Sequence, residues 1–238
     1  MSGLEAQGLS YVYGAKQALD DVSFRVASGT FCALLGPNGA GKSTLFNLLT
    51  RLFVAPKGHI KIAGHDLRAS PRAALAELGI VFQQTTLDLD LTVQQNLAYF
   101  AALHGLSGRT ARHRIDAALE QLDMRERTGE KARALNGGHR RRTEIARALL
   151  HEPSVLLLDE PTVGLDAAAR VSITNYAHEL AAAGKTILWA THLTDEVGLD
   201  DALIILHRAQ ILAQGRARDI AGDMSLQNRF LSLTGEAA

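Results

Sequence analysis

Gly36-Pro37-Asn38-Gly39-Ala40-Gly41-Lys42-Ser43-Thr44 is the stretch from which the rest of the chain can be read. It fits G-x-x-x-x-G-K-[ST], the spacing of a phosphate-binding loop. Thr30-Phe31-Cys32-Ala33-Leu34-Leu35 before it is a short apolar run of the kind a buried strand makes. After it, Leu45, Leu48, Leu49 and Leu52 recur at the spacing of one helix face. The loop is therefore expected to join a strand to a helix N-terminus. In that setting its glycines let backbone N–H groups point at phosphates, and the helix end adds partial positive charge. Lys42 would reach the β- and γ-phosphates and the Ser43 hydroxyl would meet Mg²⁺. The motif implies a bound nucleoside triphosphate but not what its energy drives.

The 238 residues carry 25 Lys+Arg and 25 Asp+Glu, a formal net charge of zero. That balance argues against a general nucleic-acid or anionic-membrane surface. Cys32 is the only cysteine, so no disulfide can form within the chain, which suits a reducing cytosol. It is expected to be a small buried side chain. Met1-Ser2-Gly3-Leu4-Glu5 lacks the basic start and apolar run of a signal peptide. No apolar stretch approaches the ~18–20 residues that cross a bilayer, so any membrane role is expected to come through a partner.

Residues 9–35 read as strands, with Val22, Phe24 and Val26 alternating with polar residues. Ile60 and Ile62 alternate again between Gly58 and Gly64, which suggests an antiparallel sheet near the nucleotide. Leu78 to Phe82 is a further strand ending in Gln83-Gln84. Thr92-Val93-Gln94-Gln95 is a capping-box pattern opening a helix through Leu103. A second helix is expected from about Arg109 to Leu122, so residues 92–150 read as a helical insert. Val155 to Leu158 has the continuous apolar character of a parallel strand covered on both faces. Asp166 caps a helix that Gly184 ends, Thr186 to Thr191 is the next strand, and a hairpin around residues 207–210 precedes a short helical tail.

Leu158-Asp159-Glu160 ends the buried strand, where ligands bind in open α/β sheets. Asp159 is placed to hold Mg²⁺, and Glu160 to act as the base that orients the attacking water. His192 and Gln83 sit at two further strand ends. Each could reach the γ-phosphate region, and Gln83 could also reach the metal. A lone strand-end His or acidic pair is more often structural; the shared sheet edge favours function.

Taken together and in this order, the motifs resemble those of an ABC ATPase, the nucleotide-binding subunit of an ABC transporter. Tyr13 resembles the aromatic that stacks on adenine, residues 36–44 the Walker A loop, and Gln83 the Q-loop. Val155–Glu160 resembles Walker B with its catalytic glutamate, Val163-Gly164-Leu165-Asp166 the D-loop, and His192 the switch histidine. The family's Leu-Ser-Gly-Gly-Gln signature is replaced by Leu135-Asn136-Gly137-Gly138-His139, followed by Arg140-Arg141-Arg142. The Asn-Gly-Gly-His variant is similar to ABC subunits associated with quinoprotein (PQQ-dependent) alcohol oxidation systems. Asn136 can offer an amide where serine uses a hydroxyl, and Gly137 and Gly138 open a helix toward the γ-phosphate of a facing subunit. Arg140–Arg142 is either a solvated face or a set of phosphate neighbours.

The resemblance implies an α/β fold: a RecA-like P-loop NTPase parallel-sheet core with an antiparallel β subdomain and an α-helical insert. It implies one domain over 1–238, with 1–91 and 151–238 as core and 92–150 as the helical subdomain. It also implies ATP and Mg²⁺ as ligands, a homodimer, and a separate integral membrane permease. The chain would then be cytoplasmic, held on the inner face of the membrane by that permease. The absence of an added regulatory domain after the tail leans the reading toward export. The alternative is a soluble ABC-type ATPase acting on nucleic acid or ribosomes, although the single loop and the Lys42–Asp159 spacing fit neither the repair nor the translation class. A small kinase sharing the loop would need neither a signature segment nor Glu160.

Overall fold

The computed structural model describes residues 2–235; Met1 and residues 236–238, the two ends of the chain discussed above, lie outside the described residues. Strands β1 (Ser2–Tyr13) and β2 (Lys16–Ala27) pair antiparallel. β1 thus begins well before residue 9, where the sequence pattern placed the first strand. The irregular register near Gly8 breaks its alternation and hides its first half. In β2, Leu19, Val22, Phe24 and Val26 are all buried, which gives the period-two pattern its physical meaning.

β3 (Phe31–Leu35) is buried at every position and leads through the loop into α1 (Lys42–Leu49). α1 stops one turn earlier than the leucine spacing predicts. Arg51 takes a positive φ of 59°, and Leu52 is 62 % exposed rather than on the buried face. β4 (Lys57–Ile62) pairs with β1, and β5 (His65–Asp66) with β4, completing an antiparallel sheet in the order β2-β1-β4-β5. α2 (Pro71–Ala76) follows, with proline in its first turn where no N–H is needed.

β6 (Leu78–Val81) leads into three helices, α3 (Val93–Leu103), α4 (Gly108–Gln121) and α5 (Gly137–Leu149). The capping box forms as expected: Gln95 N donates to Thr92 Oγ1 and Thr92 N donates to Gln95 Oε1. β7 (Val155–Asp159), α6 (Ala167–Ala182) and β8 (Thr186–Thr191) come next, with Ala169 N donating to the Asp166 carboxylate at 2.8 Å. β9 (Ala202–His207) and β10 (Gln210–Arg216) form a hairpin whose turn is only Arg208-Ala209. Both turn residues have positive φ, 46° and 70°, as tight hairpin turns of the primed type require. α7 (Ala217–Ala221) and α8 (Leu226–Thr234) close the chain.

The second sheet runs β10-β9-β3-β8-β7-β6, parallel except for β10. Alternate residues of its strands enter two separate cores. Phe31, Ala33, Leu35, Leu156, Leu158, Ile187 and Trp189 join the cluster containing Leu97, Leu119 and Ile145 of the helices. Cys32, Leu34, Val155, Leu157, Leu188 and Ala190 join the cluster formed by α1 and the four-stranded sheet. Cys32 is buried, and that burial pushes its thiol pKa up to about 12.

Parallel register then does the positioning. Leu35 pairs with Thr191, Asp159 with Ala190, and Val81 with Leu158. Four strand ends therefore deliver Gly36, Glu160, His192 and the Phe82-Gln83 loop to one sheet edge.

Candidate functional site

A cleft of about 210 Å³ lies at that edge, with Tyr13, residues 37–39 and 41–44, Gln83 and Glu160 in its wall. The loop reaches this shape because two of its glycines leave room for other backbone. A Cβ on Gly36 would stand 2.4 Å from the Leu206 carbonyl oxygen, and one on Gly41 would stand 2.6 Å from that of Ala18. Gly41 also has a φ of 118°, which favours glycine. Ala40 is buried inside the loop, and its carbonyl accepts from Ala209 N at 3.1 Å, stitching the loop to the β9–β10 turn.

Lys42 is 5 % exposed. Its Nζ donates to the Gly36 carbonyl at 2.5 Å and the Pro37 carbonyl at 3.3 Å, and lies 3.3 Å from Glu160 Oε1. Burial lowers its pKa, and the Glu160 and Asp159 charges oppose that shift. On the other side, Gln83 Nε2 donates to Glu160 Oε2 at 3.0 Å. His192 Nδ1 stands 3.4 Å from the same oxygen, close enough for an ion pair when protonated but not aligned for a hydrogen bond. Glu160 itself sits at φ 45°, a left-handed conformation that costs a non-glycine residue about 1 kcal/mol and recurs at functional sites. Asp159 is buried beside it. Desolvation, then the Glu160 charge, push its pKa up to about 6, against the pull of Lys42 and Arg141.

Tyr13 is 43 % exposed and lines the cleft, edge-on to Tyr11 at 5.0 Å and to Phe53 at 6.0 Å. A planar base can therefore reach it. Lys16 and Ala18 also line the cleft. Nothing in their local sequence marks them; only the β1–β2 hairpin brings them there.

The structure does not bring the signature segment to this cleft. Asn136 is exposed, and its Oδ1 accepts from His139 N at 2.8 Å as the N-cap of α5. Its amide is thus turned to capping through oxygen, leaving the Nδ2 group as the donor the sequence reading asked for. Gly137 and Gly138 pack against Leu165 and Ala169, where added Cβ atoms would come within 3.1 and 3.2 Å.

Arg140–Arg142 is not a solvated face. Arg140 donates to the Ala132 and Arg133 carbonyls, and Arg142 to Ser172 Oγ at 3.0 Å. Arg141 is 6 % exposed and donates to the carbonyls of Phe82 and Gln83 at 2.6 and 2.9 Å. A buried group that the sequence reading missed is Glu196. Its carboxylate accepts from Trp189 Nε1 at 3.0 Å, Thr191 Oγ1 at 2.7 Å and Thr162 Oγ1. It thereby joins the end of β8 to the segment after Glu160.

Residues 19–163 match the family described as ABC transporter. This chain belongs to the ABC transporter ATP-binding family. The ABC ATPase is 37 % identical over 223 residues to the daunorubicin resistance ATP-binding protein DrrA3 of Streptomyces coeruleorubidus, covering 93 % of this chain and 71 % of that one. It is 38 % identical over 218 residues to the Nod factor export ATP-binding protein I of Ralstonia nicotianae, covering 91 % and 68 %. A solved ATP-binding subunit of an ABC transporter superposes with a TM-score of 0.86 at 30 % identity, covering 97 % of this chain and 99 % of that one. An ATP-binding cassette solved in its ADP conformation gives 0.84 at 26 % identity over the full length of both. The fold is thus that of the P-loop ABC ATPases, and the ABC ATPase binds and hydrolyses ATP as the ATP-binding subunit of a transporter. Among the described residues, no helix is long and apolar enough to cross a membrane.

Proposed function

We propose that two copies bind head to tail, each holding ATP between its own phosphate loop and the other copy's Leu135–His139 segment. One observation carries this reading. The cleft has a phosphate loop, a base and an aromatic wall, yet Asn136 and Gly137 of the same copy stand exposed outside it. A C₂ pair places each exposed segment against the other copy's cleft with a single kind of contact.

Within the closed site, Tyr13 stacks on the base and residues 36–44 cradle the phosphates. Lys42 leaves the Gly36 and Pro37 carbonyls for phosphate oxygens. Glu160 orients the attacking water and takes its proton, while Gln83 and His192 hold the Glu160 carboxylate from either side. Ser43, Gln83 and Asp159 offer the hydroxyl, amide and carboxylate oxygens that suit Mg²⁺. The raised pKa of Asp159 fits a site short of positive charge. Bound there, Mg²⁺ would neutralise charge developing on the β- and γ-oxygens.

Residues 92–150 act as the helical subdomain that carries the signature segment to the mate. Closure on ATP and release on hydrolysis are passed to a separate membrane permease, which holds the chain on the inner face of the membrane. Export is the favoured direction, because the relatives named above serve drug resistance and Nod factor export. Glu160→Gln tests the assignment. Phosphate release should fall by about 10²-fold or more while ATP still drives two copies together; release at the parent rate overturns the role given to Glu160.

A further inference from the structure

The loop that carries Gln83 is held by side chains of α5. One guanidinium, Arg141, spans the carbonyls of Phe82 and Gln83 and also donates to Glu144 Oε2 at 2.9 Å. Glu144 Oε1 accepts from Thr86 N at 2.8 Å. Arg147 donates to the Thr86 carbonyl at 3.2 Å and lies 4.4 Å over the Phe100 ring. These three charged side chains are buried. Loop 82–86 is therefore gripped at both ends by one helix.

Stability alone is a poor reason for this arrangement. Buried ion pairs cost desolvation that apolar replacements avoid, and such replacements are often neutral or stabilising. What the arrangement supplies is geometry. The planar fork of Arg141 meets two successive carbonyls and a carboxylate together, which an ammonium on a flexible stem does not do. The far end of the gripped residue is functional, since Gln83 Nε2 meets Glu160 Oε2. The near end of the gripping helix is functional too, since α5 starts at the signature segment, capped by Asn136.

We infer that Arg141 is a positioning residue that aims Gln83 at Glu160, and so links what touches the start of α5 to the base in the same copy's cleft. This rests on the head-to-tail site proposed above. In that arrangement the signature segment senses the nucleotide in the other copy's loop. Arg141 would then pass occupancy of one site to the chemistry of the second, without either nucleotide touching Arg141.

A double-mutant cycle in the full chain tests this, read by steady-state ATP hydrolysis. Arg141→Lys keeps a cation beside Glu144, so the fold is retained, but loses the fork. It should lower kcat by about tenfold or more with KM changed less than about threefold, and bring the Hill coefficient for ATP down toward one. In a Gln83→Ala background the same substitution should cost less than about twofold, because its target is gone. The paired variant Arg141→Met with Glu144→Gln removes both charges together and should show the same loss of kcat while still melting cooperatively. Equal effects of Arg141→Lys with and without Gln83, an unchanged Hill coefficient, or parent kcat in the paired variant each overturn the positioning role. Loss of hydrolysis in Lys42→Ala in the same assay upholds the nucleotide site itself, so additivity in the cycle sinks this inference alone.

Discussion

Lys42 Nζ lies 3.3 Å from Glu160 Oε1, and both side chains are buried. One cation thus faces the acidic strand end from within the phosphate loop and is the group best placed to meet a phosphate. Lys42→Ala should weaken ATP binding by about 10- to 100-fold, the worth of a charge-assisted hydrogen bond of roughly 1.5–3 kcal/mol. Titration calorimetry or a fluorescent ATP analogue measures it; affinity within about twofold of the parent would contradict the role.

Asp159 gives a pH signature. Its folded pKa of about 6 lies above the ordinary 3.8. An acid shifted upward favours the folded state while protonated, so its contribution is lost as pH rises from about 3.8 through about 6. Carrying a charged Asp159 then costs of order 3 kcal/mol. Asp159→Asn should therefore melt several degrees higher than the parent at pH 7.5 without nucleotide or Mg²⁺, and nearly with it at pH 4. An equal difference at both pH values would contradict the shift. At pH 7.5 the same variant should lose the extra stabilisation that Mg²⁺ adds to bound ATP.

Glu196 is predicted to hold the end of β8 to the segment after the base. Glu196→Ala strands the donors Trp189 Nε1, Thr191 Oγ1 and Thr162 Oγ1 in the core, at a cost of about 3–5 kcal/mol. Denaturant unfolding followed through Trp189, the only tryptophan, reads this directly. A midpoint equal to the parent's would show that the network is dispensable.

Asn136 has two roles that two substitutions separate. Asn136→Ser keeps a capping oxygen and a donor, and should retain both stability and hydrolysis. Asn136→Ala loses the cap, about 1 kcal/mol, and should also lower hydrolysis by about tenfold. If serine costs as much hydrolysis as alanine, the role assigned to the polar group at this position is wrong.

What could be read before the structure followed a physical division. Signals local in the chain were clear: the loop and its lysine, the Thr92–Gln95 capping box, the Asp166 cap and the strand Thr186–Thr191 all depend on neighbours a few residues away. Arg141 was not readable as a buried clamp, because its partners Phe82 and Gln83 lie 59 and 58 positions distant and a run of three arginines looks solvated. Glu196 stayed hidden for a different reason: Trp189 and Thr191 lie only 7 and 5 positions away, but an acidic residue just past a strand end looks solvated, and only the fold brings Thr162, 34 positions away, onto it. Leu52 misled in the opposite way: its spacing continued the helix face, but Arg51 turned the chain into a left-handed conformation first. Lys16 joins the cleft only through hairpin pairing.

The central claim is that each ATP site is completed by two copies, and mixing two crippled variants tests it most directly. Lys42→Ala damages the loop half, and Gly138→Asp places a carboxylate in the signature half; each alone should be nearly inactive. In a mixed pair, one site combines both lesions and the other is intact. Equimolar mixing should therefore restore hydrolysis to as much as roughly a quarter of the parent rate. If the mixture stays at the average of the two separate variants, the site does not span two copies and the account fails.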